Sequence, residues 1–343
     1  MTQSITIADW IGQAATLPLV DVRTPAEFVR GQVPGAFNVP LFSDEERVQV
    51  GTTYKQVGRE AAILLGFDLT GSKWSGFIRR CLEIAPGKRI AVHCWRGGMR
   101  SGSMAWALSL YGFEVCQVSG GYKAYRRWAH KQYERAWHLR ILGGMTGSGK
   151  TRLLQYMKAH GQQVVDLEEL AQHQGSAYGS LNKMVQPTQE QFENELAWQL
   201  KDMDPVEPLW LEDESQKIGR RCIPGPLWLQ MRSAALIDLQ VPAEQRVQTL
   251  LQDYGKLDPD FLAESTERIQ KRLGPLQTKQ AVAAIREGRM ADFIRIALAY
   301  YDKAYRKGLS LRAADRVFPL DASGNDLAAD SHQLINFITT LPA

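Results

Sequence analysis

The sequence predicts an α/β protein built on parallel sheets, and three observations carry that prediction. At 343 residues the chain is longer than one ordinary domain core, so two domains are expected. Two short apolar runs, Ile90-Ala91-Val92 and Ile141-Leu142, each pass into a glycine-rich turn and then a helical stretch, the order a parallel sheet requires. Around them, strand-like runs alternate with helical periodicity instead of following one another as hairpins would.

Composition narrows the class. A hydrophobic content of 44% and a charged content of 23% exclude a disordered chain and fit a soluble globular one. No apolar run approaches the ~20 residues of a membrane span. The amino terminus carries no basic residues ahead of an apolar stretch, so a cytoplasmic location without a membrane partner is the expectation. The four cysteines, Cys81, Cys94, Cys116 and Cys222, include no CxxC pair, which argues against a structural zinc and a disulfide framework. The net charge of +4 admits a polyanionic partner without demanding one.

In chain order, residues 17–22 read as a buried strand ending at Asp21. Thr24 then caps a helix with Pro25 in its first position and Glu27 closing a capping box. A turn-rich passage, residues 31–40, leads into another strand. Residues 90–94 form the cysteine strand and residues 112–118 a further one before Gly120-Gly121. The loop His93-Cys94-Trp95-Arg96-Gly97-Gly98-Met99-Arg100-Ser101 puts a sulfur among backbone N–H groups and two guanidinium charges, an environment that favours the thiolate. Cys94 is therefore the candidate nucleophile, with Arg96 and Arg100 as anion-holding groups. Cys81, Cys116 and Cys222 lack such a setting and are assigned to packing.

Four ordered motifs here resemble a rhodanese domain over roughly residues 5–130: Asp-Val-Arg-x-x-x-Glu-Phe, Gly-x-x-Pro-Gly-Ala-x-Asn-x-Pro, the cysteine loop, and Gly-Gly before an aromatic helix. The resemblance implies that Cys94 holds a persulfide or related adduct. Arg100 lies six positions after Cys94, one more than in many single-domain rhodaneses, and the loop also satisfies the cysteine-phosphatase signature. Alone, the loop leaves phosphatase and chalcogen carrier open; the flanking motifs favour the carrier.

Residues 42–65 exceed what the bare fold needs. Ser43 with Glu46 predicts a capped helix ending at Gly51, read first as a solvated excursion and second as a substrate wall. From Tyr122 to Arg140, basic and aromatic residues interleave, and Arg126, Arg127, Lys131, Arg135 and Arg140 are the candidate RNA-binding cations. The tyrosines and tryptophans are also at helical spacing, so packing competes with base stacking for them.

Next comes Gly144-Met-Thr-Gly147-Ser148-Gly149-Lys150-Thr151, the full Walker A spacing in strand–loop–helix context. Its glycines let backbone N–H groups wrap a phosphate, which also involves Ser148; Lys150 adds a charge and Thr151 a metal-ligating hydroxyl. The P-loop reports a polyphosphate without saying what it is attached to. Residues 208–215 resemble a Walker B strand; Asp213 is the expected metal partner, Glu212 close behind, and Mg²⁺ the ion the pattern admits. Arg220 and Arg221 could reach a phosphate, and His173 is a base or a loop hydrogen-bonder. Thr188 with Gln191 starts a helix carrying Phe192, Leu196 and Leu200. Beyond residue 226 the chain reads as mostly helical, with basic clusters near 268–289 and 303–307, a late strand over 316–321 and a final helix. The expected division is a rhodanese-like parallel-sheet domain over 1–132, a basic linker over 133–140, and a P-loop NTPase-like α/β domain with a helical C-terminal part over 141–343.

The order rhodanese-like then P-loop, with Val50-Gly-x-x-Tyr-Lys-Gln-x-Gly58, Gln174-Gly-Ser-x-Tyr-Gly179 and Glu212-Asp-Glu-Ser-x-x-Ile-Gly219, resembles the tRNA 2-selenouridine synthase family over essentially the whole chain. The resemblance implies selenium-for-sulfur exchange at a wobble 2-thiouridine of tRNA. It also implies selenophosphate and geranyl diphosphate as co-substrates, an S-geranyl intermediate, and a selenophosphate-supplying enzyme as partner. Two other classes remain open from the residues: a nucleotide-gated sulfur-relay module, and a cysteine phosphatase fused to a kinase-like domain.

Overall fold

A computed structural model describes residues 2–173, 185–254 and 257–340 of the protein. Contacts divide the chain into two units, 1–133 with 190–198, and 134–189 with 199–343. The stretch 174–179 that contributes to the family resemblance lies outside the described residues.

The amino-terminal unit is a five-stranded parallel sheet of β1 (Thr2–Ile5), β2 (Leu19–Asp21), β3 (Phe37–Asn38), β4 (Arg89–His93) and β5 (Glu114–Val118), in the order β1-β5-β4-β2-β3. The central strand β4 is buried along four of its five residues, which is why Arg89-Ile-Ala-Val-His reads as an apolar run and not as an alternation. Val20, Val92, Met104, Leu108 and Val115 join the core beneath it. The Thr24 hydroxyl accepts from Glu27 N–H and Glu27 accepts from Thr24 N–H, closing the expected capping box at helix Pro25–Arg30.

Three helices, Asp44–Gln56, Arg59–Thr70 and Trp74–Ile84, are inserted between β3 and β4. The Ser43–Glu46 capping box is present, but the helix does not stop at Gly51 as the sequence suggested. Gly51 is inside the helix, and the break comes at Gly58, whose φ of +135° an L side chain would resist. Residues 190–198 of helix Gln189–Leu200 also belong to this unit, where Phe192, Asn194 and Leu196 are buried. Asn194 donates to Gln32 O and to the Tyr122 hydroxyl, while Gln191 accepts from Gln32 N–H.

The second unit holds β6 (Leu139–Gly144), β7 (Gln163–Val164), β8 (Leu209–Glu212), an antiparallel pair of β9 (Lys217–Ile218) with β10 (Arg221–Cys222), β11 (Ala235–Gln240) and β12 (Val317–Asp321). Its parallel sheet runs β12-β11-β6-β8-β7, with β6 central. The late strand expected over 316–321 is therefore an edge. The reading of everything past residue 226 as mostly helical needs correction at β11, a buried strand beside β6. Ala-Leu-Ile-Asp-Leu is apolar on both faces, a pattern that cannot be told from a buried helix turn by period alone. The remaining helices between Ala243 and Leu309 close around Leu262, Ala281, Ile285, Phe293 and Ile294.

Ile237 is fully buried in β11 among Leu142, Leu153 and Leu239. Ile237→Ala is expected to cost about 2–5 kcal/mol, read from the denaturation transition of the second unit. A cost below ~0.5 kcal/mol would place that strand outside the core.

Candidate functional site

Two reactive loops stand out, and each leaves the carboxyl end of the central strand of its own sheet, where ligand sites of open parallel sheets form. The first follows β4. The Gly98 N–H and the Ser101 hydroxyl each lie 3.3 Å from Cys94 Sγ, and Gln117 donates to Gly97 O and to the Ser101 oxygen at 3.0 Å. Helix Met99–Leu110 begins at this point, so its unpaired N-terminal N–H groups face the sulfur. The loop closes tightly: Tyr122 N–H donates to Cys94 O at 2.8 Å and Lys123 N–H to Trp95 O at 3.0 Å. A Cβ on Gly121 would sit 2.2 Å from Cys94 O, and one on Gly97 2.7 Å from Val118 O, which accounts for glycine at both places.

Burial by itself would push the Cys94 thiol up. Donation from the Ser101 hydroxyl and N–H, from Arg96 N–H, and the charge of Arg100 outweigh burial, and the net shift is downward. Cys81 has no such donors, and burial pushes it up to about 12. Cys116 is also raised, by burial and the nearby Glu114. Among the three, the sequence singles out Cys94 and the electrostatics agree.

The two arginines are not equivalent. Arg96 is exposed at the rim. Arg100 is gripped by Glu27, Nη1 to Oε2 at 2.5 Å and Nη2 to Oε1 at 3.1 Å, so its fork is already occupied. Arg100 therefore acts on Cys94 as a fixed neighbouring charge and not as a free bidentate clamp, which corrects its expected role and weakens the phosphatase reading. Glu27, which the sequence shows as a cap and as the glutamate of the Asp-Val-Arg-x-x-x-Glu-Phe motif, is the residue that positions it. Beneath the loop, Asp21 and Arg23 are a fully buried ion pair at 2.6 Å, with Arg23 also 3.7 Å from the Tyr122 ring centroid. Burial, opposed by Asp21, keeps the His93 imidazole below its ordinary pKa and therefore neutral.

The second loop follows β6. Gly144, Gly147 and Gly149 have φ of +142°, +81° and +78°, conformations that an L side chain would resist and that the tight P-loop turn uses. Lys150 Nζ bridges back to Gly144 O at 2.9 Å, and the Ser148 hydroxyl is buried with no protein partner. Gly144 N–H is held by the Tyr305 hydroxyl at 2.7 Å, which donates to Asp238 at 2.6 Å. The sequence offered no signal for this brace, since Tyr305 is 161 residues away.

The carboxylate meeting Thr151 is Glu212, and not Asp213 as expected. Asp213 turns to Arg312, Oδ1 to Nη2 at 2.7 Å, because alternate residues at a strand end face opposite ways. Glu168, Glu212 and Glu214 bring carboxylate oxygens within 4.8 Å of one another. Burial first, then their mutual repulsion, raises Glu212 and Glu214 well above the usual carboxylate range. The buried Glu212 Oε1 has no partner. An all-oxygen, mutually repelling set beside Thr151 fits a hard divalent cation such as Mg²⁺.

The proposed RNA-facing cations are scattered. Tyr122, Tyr125 and Tyr133 are buried, so their faces pack and do not stack on bases. Arg126 pairs with Glu193 and Asn194, and Arg140 is buried, with burial lowering its pKa. Arg135 lies 4.6 Å from the Trp137 ring centroid. Arg127 and Lys131 are exposed. Among the described residues no helix is long and apolar enough to cross a membrane.

Residues 6–127 match the rhodanese-like domain family and residues 137–261 the AAA domain of tRNA 2-selenouridine synthase. The tRNA 2-selenouridine synthase of Hahella chejuensis is 38% identical over 342 residues, covering 89% of each chain. That of Shewanella loihica is 37% identical over 336 residues, covering 88% of this chain and 89% of its own. The Nitrosomonas europaea enzyme is 38% identical over 270 residues, 76% of this chain and 69% of its own.

The thiol electrostatics give a direct expectation. In a pH series of iodoacetamide alkylation followed by peptide mass spectrometry, Cys94 should react with a midpoint below the ordinary thiol range, and Ser101→Ala should move that midpoint up. Equal midpoints for Cys94 and Cys116 would contradict the cradle.

Proposed function

The chain belongs to the tRNA 2-selenouridine synthase family, and from that premise we propose that it exchanges sulfur for selenium at the 2-position of a modified wobble uridine in tRNA. The reaction is a transfer in two stages, and the observation that carries the reading is a stabilised thiolate and a phosphate-wrapping loop on one chain. The co-substrates are geranyl diphosphate and selenophosphate, supplied by a selenophosphate-forming enzyme, and the setting is the cytoplasm.

In the first stage the 2-thio sulfur attacks C1 of geranyl diphosphate. The C–S bond forms, the C–O bond breaks, diphosphate leaves with the electron pair, and N3 loses its proton. The N–H groups of Gly147 and Gly149, the Ser148 hydroxyl and Lys150 bind and orient the diphosphate as charge builds on it. A Mg²⁺ held by Thr151 and Glu212, with Glu168 and Glu214 nearby, would supply further charge stabilisation to that leaving group.

In the second stage the Cys94 thiolate attacks phosphorus of selenophosphate. The S–P bond forms and the P–Se bond breaks with its electron pair on selenium, which leaves as hydrogen selenide. Attack at selenium would instead leave that pair on phosphorus, the poorer anion. Selenide then attacks C2 of the S-geranyl base: the C2–Se bond forms, the C2–S bond breaks, and geranylthiolate leaves and takes a proton from solvent. The hydrogen carried by selenide returns to N3. Water hydrolyses the Cys94 thiophosphate to phosphate and thiol. Arg96 at the rim holds the phosphoryl oxygens, while the fixed Arg100 charge keeps the Cys94 sulfur ionised.

Nucleoside mass spectrometry of tRNA incubated with purified variants tests the division of labour. Cys94→Ser should stop selenation and let the S-geranyl nucleoside accumulate, whereas Lys150→Ala should lower geranyl transfer on the order of 10²-fold. Selenation by Cys94→Ser at the wild-type rate would refute the covalent role. Full geranylation by Lys150→Ala with loss of nucleotide binding would favour a nucleotide-gated module.

A further inference from the structure

The Cys94 loop opens into a cavity of about 1210 Å³ that lies within the amino-terminal unit. Cys94, Arg96 and Gly98 line one part, and the inserted helices Asp44–Gln56 and Arg59–Thr70 supply most of the rest. The volume exceeds the ~300–1,000 Å³ typical of sites for drug-sized organic ligands, and a phosphate-sized anion alone has no use for it. Its walls are mostly apolar. Val48, Phe67, Met99 and Trp106 line it while being 68%, 54%, 53% and 60% exposed, so hydrocarbon surface is held open to solvent around a reactive thiolate. Exposed apolar surface of that extent marks a binding surface more often than an idle one.

Cations complete the pattern. Arg47, Lys55, Arg96 and Arg100 also line the cavity, Lys55 and Arg96 being exposed. The ligand that matches is therefore amphiphilic, an apolar body attached to a polyanion, with its reacting atom at Cys94. The three helices that build the wall are not needed to complete the sheet, which is closed by β3 on one side and β1 on the other.

We infer that this cavity binds the ten-carbon isoprenoid chain carried on sulfur by the wobble base, holding C2 at the Cys94 loop while selenide displaces geranylthiol. The inference rests on the S-geranyl reading above and adds the place where the hydrocarbon is recognised: the thiolate unit, by Val48, Val50, Ile63, Phe67 and Trp106. The phosphates on either side of the base meet the cavity's cations, and the leaving thiol departs within apolar surroundings. Burial of the chain then discriminates the alkylated base from the 2-thio base, since each buried methylene contributes about 0.8 kcal/mol.

The test uses the full-length protein, selenophosphate, and synthetic anticodon stem-loops carrying either S-geranyl- or S-methyl-2-thiouridine at the wobble position, so that geranyl transfer is bypassed. Wild type should selenate the S-geranyl stem-loop with a kcat/KM at least ~100-fold above the S-methyl one, the ratio that burial of three or four of the extra carbons would give. Phe67→Asp and Trp106→Asp, at exposed positions, should each reduce that preference about tenfold or more, whereas Phe67→Leu should retain it. Wild-type alkylation of Cys94 in each variant reports an intact cradle. A preference unchanged in both acidic variants would overturn the cavity assignment and leave the S-geranyl pathway standing. Failure of wild type to selenate the S-geranyl stem-loop would refute the pathway itself, and the cavity assignment with it.

Discussion

The thiolate site depends on one close approach of backbone to backbone. The first turn of helix Gly121–Glu134 donates to the carbonyls of Cys94 and Trp95, and there is no room for a Cβ on Gly121 where it passes them. That contact pins the loop so that Gly98 N–H and the Ser101 hydroxyl converge on Sγ. A second chain of contacts sets the charge. The capping box at Thr24 fixes Glu27, Glu27 grips Arg100, and Arg100 lowers the Cys94 pKa against the opposing cost of burial. A helix cap and a reactive sulfur are thereby coupled through one carboxylate.

The two units solve related problems with opposite electrostatics. Each places its loop after the central strand of a five-stranded parallel sheet, where helix N-termini converge. Around Cys94 the neighbours are N–H groups and guanidinium charge, which favour a sulfur anion. Around Thr151 the neighbours are carboxylates crowded enough to be pushed toward their neutral forms, a repulsion that a divalent cation would relieve. One environment favours a nucleophilic sulfur and the other an oxygen-ligated cation beside a P-loop, and the proposed two-stage exchange draws on both.

What could be read from the sequence was what is local. The cysteine loop, the P-loop and the capping boxes at Thr24 and Ser43 are spelled in consecutive residues, because a turn or a cap is set by its own side chains. Strand β11 was missed because burial on both faces erases the alternation that marks a strand. Glu212 and Asp213 are not told apart by sequence, which does not say which neighbour at a strand end faces the loop. Arg126 and Arg140 are taken up by a partner and by burial, respectively, and only geometry distinguishes them from Arg127 and Lys131. The cavity over Cys94 is legible only in part: residues 42–65 read second as a substrate wall, and Val50, Gly51, Tyr54 and Lys55 of the 50–58 motif line it, but the rest of its lining, drawn from residues between 41 and 106, carries no such signal.

The central claim is that Cys94 takes the phosphoryl group and releases selenium as selenide. The most direct measurement is peptide mapping after rapid quench of the full-length protein with selenophosphate labelled at phosphorus and at selenium by separate isotopes. The account predicts transient phosphorus label on the peptide containing Cys94, absent in Cys94→Ser, with selenium in solution or on the RNA. Selenium bound to Cys94 without phosphorus would contradict it.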